Sequence, residues 1–135
     1  AIFYEAVKNK SYTCFVGSRT RLPMMYMPDA IKAALDIMQA EASRLTVRTS
    51  YNLTAVSFSA EELAGAIAER LPGFVCTYAP DFRQKIADSW PQTIDDSVAR
   101  RDWGWRYQYD LPMIADDMLE KLSARIHNPQ EQTCA

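Results

Sequence analysis

Tyr4 and Lys8 are four residues apart, so on a helix a phenol and an ammonium share one face, one turn apart. The ammonium would lower the phenol pKa, and the phenolate could then take a proton from an alcohol. No other feature of the sequence supports that use. The four glycines, Gly17, Gly65, Gly73 and Gly104, each stand alone, and no glycine-rich turn is present to hold a pyrophosphate. A solvated helix face is the plainer reading. Arg19 and Arg21 fall between two extended runs and could meet a phosphate or a carboxylate; solvated loop charge is the alternative. Asp95 and Asp96 could ligate a metal, but acids before an apolar periodic segment are first of all helix caps.

Trp90 is harder to assign to packing. It stands in "ADSWPQTIDD" with Ala87, Asp88 and Ser89 before it and Pro91 after it. A residue before proline is pushed out of the helical region. Trp90 therefore sits on a preorganised elbow between small or polar neighbours, not within an apolar stripe. From the residues alone it is either a core plug or the border of a small-molecule site. Trp103 and Trp105 flank Gly104 and read as packing around a helix stop.

Cys14, Cys76 and Cys134 are odd in number, far apart and without a C-x-x-C, and His127 is the lone histidine. This argues against a zinc site and for reduced thiols. The 135 residues suit one ordinary domain, with 48% apolar and 24% charged residues. A net charge of −2 gives no electrostatic footprint for nucleic acid or an anionic membrane. No apolar run approaches a bilayer span.

These residues need elements to hold them. Residues 2–9 read as an amphipathic helix with Ile2, Phe3, Ala6 and Val7 on one side. The chain opens inside that helix without an initiator Met, so the expectation is a piece of a longer chain. Residues 12–17 and 21–27 read as extended, the second with Pro23 at an edge or irregularity. Pro28 and Asp29 open a helix with the stripe Ile31, Ala34, Leu35 and Met38. Thr46, Arg48 and Ser50 alternate with Val47 and Thr49, which predicts a strand over 45–54. Ser59 and Glu62 form a capping box for a helix carrying Leu63, Ile67 and Leu71, stopped by Pro72-Gly73. A strand is predicted over 74–79 and a short helix over 80–89. Asp95 and Asp96 cap a helix that ends at Trp103-Gly104. Asp110 caps the last helix, with Leu111, Ile114, Met118, Leu122 and Ile126 inward. The polar tail 128–135 is expected to fray. Helices alternating with short strands give an α/β or α+β class.

The stretch "YAPDFRQKIADSWPQTIDDSVARRDWGW" (78–105) resembles the C-terminal part of L-threonine 3-dehydrogenases of the extended short-chain dehydrogenase type, relatives of the UDP-galactose 4-epimerases. "FYEAVKNKSYTCF" (3–15), "RLPMMYMPDAIKAALDIM" (21–38) and "SYNLTAVSFSAEEL" (50–63) look like the same family, so the resemblance runs to about Leu122. "DDSVARRDWGW" followed by "YDLPMIADDM" is similar to a signature shared by many nucleotide-sugar epimerases. "RQKIADSWP", "YTCF" and "RLPMMYM" look particular to the threonine dehydrogenases.

The resemblance implies an α/β fold in which 1–127 is the C-terminal substrate-binding domain of a longer, NAD-dependent epimerase/dehydratase-like dehydrogenase, and 128–135 a flexible tail. The family's Rossmann part carries the glycine motif, a catalytic Ser or Thr and the active Y-x-x-x-K, and none of these is in this chain. Tyr4 and Lys8 fall after the family's substrate loop and are not that pair. The family's D-S-W-P tryptophan faces the substrate pocket and matches Trp90. The implied reaction oxidises L-threonine to 2-amino-3-ketobutyrate, with NAD bound by the N-terminal part, no metal, and no catalytic residue in this segment. The segment alone is expected to be inactive. The intact protein is expected to be a homo-oligomer, cytoplasmic in a bacterium or in the mitochondrial matrix of a eukaryote. The alternatives are a nucleotide-sugar epimerase or reductase of the same superfamily, and a non-enzymatic, stand-alone globular module.

Overall fold

The computed structural model describes residues 1–127; the tail 128–135, with Cys134, lies outside the described residues. The elements in chain order are α1 (Ile2–Asn9), β1 (Ser11–Cys14), β2 (Arg21–Met24), α2 (Met27–Gln39), β3 (Val56–Ser59), α3 (Ala60–Arg70), β4 (Val75–Tyr78), α4 (Arg83–Asp88), α5 (Ser97–Trp103) and α6 (Leu111–His127). A single 3₁₀ turn, Ala42–Arg44, follows α2.

The strands form two small sheets. β1 and β4 are parallel, with Tyr12 opposite Cys76 and Cys14 opposite Tyr78. Parallel strands require a long crossover, and the chain between β1 and β4 supplies it. β2 and β3 are antiparallel, with Pro23 opposite Ser57. In a two-stranded sheet every strand is an edge, so Pro23 removes no central ladder bond.

The helices divide between two cores. Ala6 of α1, Ala64 and Ile67 of α3, Leu119 of α6 and Phe74, just before β4, bury one. Ala33 of α2 packs with Ala99, Trp103 and Trp105 in the other. Between α3 and α6, Arg70 pairs with Asp116. Fully buried Asp29, at the start of α2, accepts hydrogen bonds from the backbone of Gln108 (2.8 Å) and Tyr109 (3.1 Å). That carboxylate ties α2 to the chain just before α6.

The capping chemistry follows the sequence closely. Glu62 N–H donates to Ser59 Oγ at 3.1 Å, and Ser59 N–H donates to Glu62 Oε2 at 2.7 Å. Asp110 Oδ1 accepts from Met113 N–H at 2.9 Å. At α5 only Asp95 caps through its side chain, Oδ1 accepting from Ser97 N–H (2.9 Å); buried Asp96 makes no cap bond and instead takes a bidentate pair from Arg100 (2.7 and 2.9 Å). Gly104 closes α5 in the left-handed region at φ 77°. On α6, Ile114, Ala115 and Leu119 are buried, and Leu111, Met118, Leu122 and Ile126 half-buried.

Two expectations are corrected. Residues 45–54 form no strand, because no neighbouring strand lies beside them among the described residues. Side chains bond this irregular stretch, bent at Arg48 and Thr49, instead. Asp102 Oδ2 accepts from Thr46 N–H (3.0 Å) and Oγ1–H (2.6 Å), Val47 N–H donates to Tyr51 Oη (3.2 Å), and Trp105 Nε1–H donates to Thr54 C=O (3.0 Å). The apolar stripe of α2 does form, but it faces outward: Ile31 is 57%, Leu35 52% and Met38 80% exposed. The buried side of α2 is formed by Asp29 and Ala33 instead.

Candidate functional site

Trp90 stands just beyond α4. That helix has six residues, and its last turn tightens: Ser89 N–H donates to Ile86 C=O (3.1 Å) and Trp90 N–H to Ala87 C=O (3.2 Å). Pro91 then prevents continuation. Trp90 is 55% exposed, so it plugs neither core of the described residues. It is shared by the walls of two clefts.

The first cleft, about 370 Å³, is apolar; Ile2, Tyr12, Phe15, Leu22, Phe58 and Ile86 are among its lining residues. The second, about 460 Å³, is polar, with Ser18, Arg19, Thr20, Gln84, Asp88 and Gln92 in its wall. Trp90 lines both. An indole suits that place, having a broad apolar face and one N–H donor.

Sequence reasoning passed over two residues of α4. Arg83 lies in the wall of the apolar cleft, with its guanidinium carbon 3.5 Å from the Phe15 ring centroid. Its Nη2 donates to Asp81 Oδ2 at 2.6 Å. The hydrogen bonds from Arg83 hold the Asp81 carboxyl below its ordinary range, and raise the arginine in return. Gln84 reaches across to the loop after β1: its Oε1 accepts from Gly17 N–H at 2.7 Å and its Nε2 donates to Thr20 Oγ1 at 3.0 Å. No spacing signal marks this bridge, because its partners are 67 and 64 residues away.

The structure separates the other candidates. Arg21 donates to Ser57 C=O (2.5 Å) and pairs with Glu62 (2.6 Å), so its charge is compensated. Exposed Arg19 borders the polar cleft with no such partner among the described residues. Tyr4 and Lys8 lie on exposed positions of α1, the ammonium 5.7 Å from the ring centroid, and line neither cleft. Cys14 is buried in the apolar cleft wall; Cys76 is half-buried, its thiol raised chiefly by burial, and both are free. No three His, Cys, Asp or Glu residues among the described residues are grouped to hold a metal. No helix among the described residues is long and apolar enough to cross a membrane.

Among the described residues the glycines build no pyrophosphate cradle. Gly17 N–H is occupied by Gln84, Gly65 lies inside α3, and Gly73 and Gly104 take positive φ at separate turns. None of them builds a run of free backbone N–H groups at a helix start, which a pyrophosphate requires.

No protein-family model matches the chain. Mitochondrial L-threonine 3-dehydrogenase of Bos taurus is 50% identical over 119 residues, 87% of this chain and 32% of the relative. An uncharacterised epimerase/dehydratase of Staphylococcus haemolyticus is 41% identical over 94% of this chain and 40% of its own. The crystal structure of L-threonine dehydrogenase from Phytophthora infestans superposes with a TM-score of 0.89 at 51% identity, covering 92% of this chain and 40% of that one. The chain thus spans about a third to two-fifths of the length of these relatives. With this sequence identity and this shared α/β fold, the chain is a homologue of the C-terminal part of L-threonine 3-dehydrogenases, within the epimerase/dehydratase-like group.

Proposed function

We propose that residues 1–127 are the substrate-binding side of an NAD-dependent oxidoreductase that converts L-threonine to 2-amino-3-ketobutyrate. NAD is held by sequence outside this chain, which alone is inactive. The observation that carries the reading is the exposed Trp90 elbow between an apolar and a polar cleft. It lies in the stretch 78–105 that resembles the threonine dehydrogenases. Threonine is small and carries a methyl group, a hydroxyl, an ammonium and a carboxylate. An indole with an apolar cleft on one side and a polar cleft on the other suits such a mixed molecule. The ring can cover the reacting carbon and exclude water, and its π face attracts an ammonium. The same proposal takes the intact protein as a homo-oligomer, cytoplasmic in a bacterium or in the mitochondrial matrix of a eukaryote.

The test is Trp90→Ala in the whole protein. Threonine turnover should fall while NAD affinity and melting temperature stay near wild type. Truncating a core aromatic would instead cost roughly 3–5 kcal/mol of stability. A variant that melts far lower, yet keeps its threonine KM and kcat in the folded fraction, overturns the assignment. A second reading, nucleotide-sugar epimerase or reductase, rests on the epimerase/dehydratase relative. It requires room and positive charge for a nucleoside diphosphate. The compensation of Arg21 by Glu62 counts against it, and calorimetry with a nucleoside diphosphate decides it.

A further inference from the structure

Trp90 can serve a substrate only if the elbow holds still, and α4 is too short to hold it. Six residues are far below the length at which a helix is stable by itself. The start of α4 is anchored through the backbone, where Ala79 N–H donates to Cys14 C=O (2.8 Å) and Asp81 N–H to Phe15 C=O (3.2 Å). Beyond the elbow, Ser57 Oγ donates to Gln92 C=O at 2.6 Å. Between these anchors, Gln84 ties α4 to the loop after β1. Its Oε1 accepts from Gly17 N–H (2.7 Å), and its Nε2 donates to Thr20 Oγ1 (3.0 Å) and to Asp88 Oδ1 (2.6 Å). Asp88 stands two residues before Trp90, so this half-buried amide couples the loop to the last turn before the elbow.

We infer that Gln84 is a positioning residue for Trp90: its amide fixes where the indole stands between the two clefts. The inference rests on the reading of Trp90 given above, and extends it to a residue outside the elbow. The chemistry demands an amide. Glutamate would still accept from Gly17 N–H, but would set a second carboxylate against Asp88. Alanine would leave Gly17 N–H and Asp88 without their partner. Exchanging both members, Gln84→Glu with Asp88→Asn, restores every bond with the donor and acceptor between them reversed.

The experiment uses the whole protein labelled with 5-fluorotryptophan. The Trp90 resonance is assigned by its loss in Trp90→Phe, and the Trp103 and Trp105 resonances by the corresponding Phe variants. In Gln84→Ala and Gln84→Glu the Trp90 resonance should shift or broaden while those of Trp103 and Trp105 stay in place. Threonine kcat/KM should fall about tenfold, mainly through KM, because small displacements of a positioning group are costly. The double variant should recover both the resonance and the KM. An unmoved Trp90 resonance in Gln84→Ala overturns the inference, as does an equal shift of all three tryptophans or a double variant that fails to recover. The two readings fail separately. If Trp90→Ala leaves threonine turnover intact while Gln84→Ala still displaces the Trp90 resonance, the threonine assignment is wrong and the tie is real.

Discussion

Asp102 illustrates what a single residue does for this fold. It is buried on α5, yet it is the anchor of a segment some fifty residues earlier in the chain. Its oxygens accept from Thr46 N–H and Oγ1–H, from Tyr51 Oη–H (2.8 Å) and from Arg101 Nε–H (2.9 Å). The bonds from Thr46, then those from Tyr51 and Arg101, hold its carboxyl far below the ordinary range despite burial, which acts the other way. The sign is that of a depressed acid. Its contribution to stability is complete above the unfolded-state value of about 3.9, and is lost as pH falls from there toward the folded-state value. Urea melts of wild type and Asp102→Asn should therefore differ most at neutral pH and converge as pH drops below about 4. A gap that stays constant across that range would mean that the carboxylate's charge does not stabilise this segment. The alternation of 45–54 was legible in the sequence, but the acid holding it was not, because nothing local links Thr46 to Asp102.

At the scale of elements, the sequence announced what short-range rules can set. The Ser59–Glu62 box, the Asp110 cap and the Gly104 stop depend on backbone groups within four residues, and all three are present. The strand expected over 45–54 failed for the opposite reason. Alternation shows that a segment can be extended, but a strand also needs a neighbour to bond with. The elbow was legible from Pro91, whereas the two clefts on either side of Trp90 came only from tertiary packing. Gly104 gives the element-scale prediction. Its φ is 77°, and a Cβ added there would meet nothing within 4 Å. Gly104→Ala should therefore cost about 1–2 kcal/mol through left-handed backbone strain alone, with no steric term. Equilibrium denaturation measures it; an unchanged midpoint would show that α5 can end without the left-handed turn.

At the scale of the molecule, α2 carries an apolar face that the described residues leave uncovered. Met27, Ile31, Leu35 and Met38 recur at helical spacing, and each is more than half exposed. An apolar stripe of that regularity normally faces a core. The chain spans about a third to two-fifths of its relatives' length, and this stripe fits a seam against the remainder. The same pattern explains why composition suggested an ordinary single domain: enough apolar residue is present, but part of it is not used here. Leu35→Lys tests the seam in two settings. In the isolated 135-residue chain it should reduce self-association, read by sedimentation velocity, because it breaks the exposed stripe. In the whole protein it should lower stability by roughly 1.5–3 kcal/mol, the scale of a buried leucine's contribution. A substitution on a solvent face stays within about 0.5 kcal/mol. If the whole protein tolerates lysine at that level, α2 faces water there too, and the seam must lie on another face of the fold. If the isolated chain becomes monomeric while the whole protein is destabilised, one helix face accounts for both, because the surface that aggregates alone is the surface the rest of the protein covers.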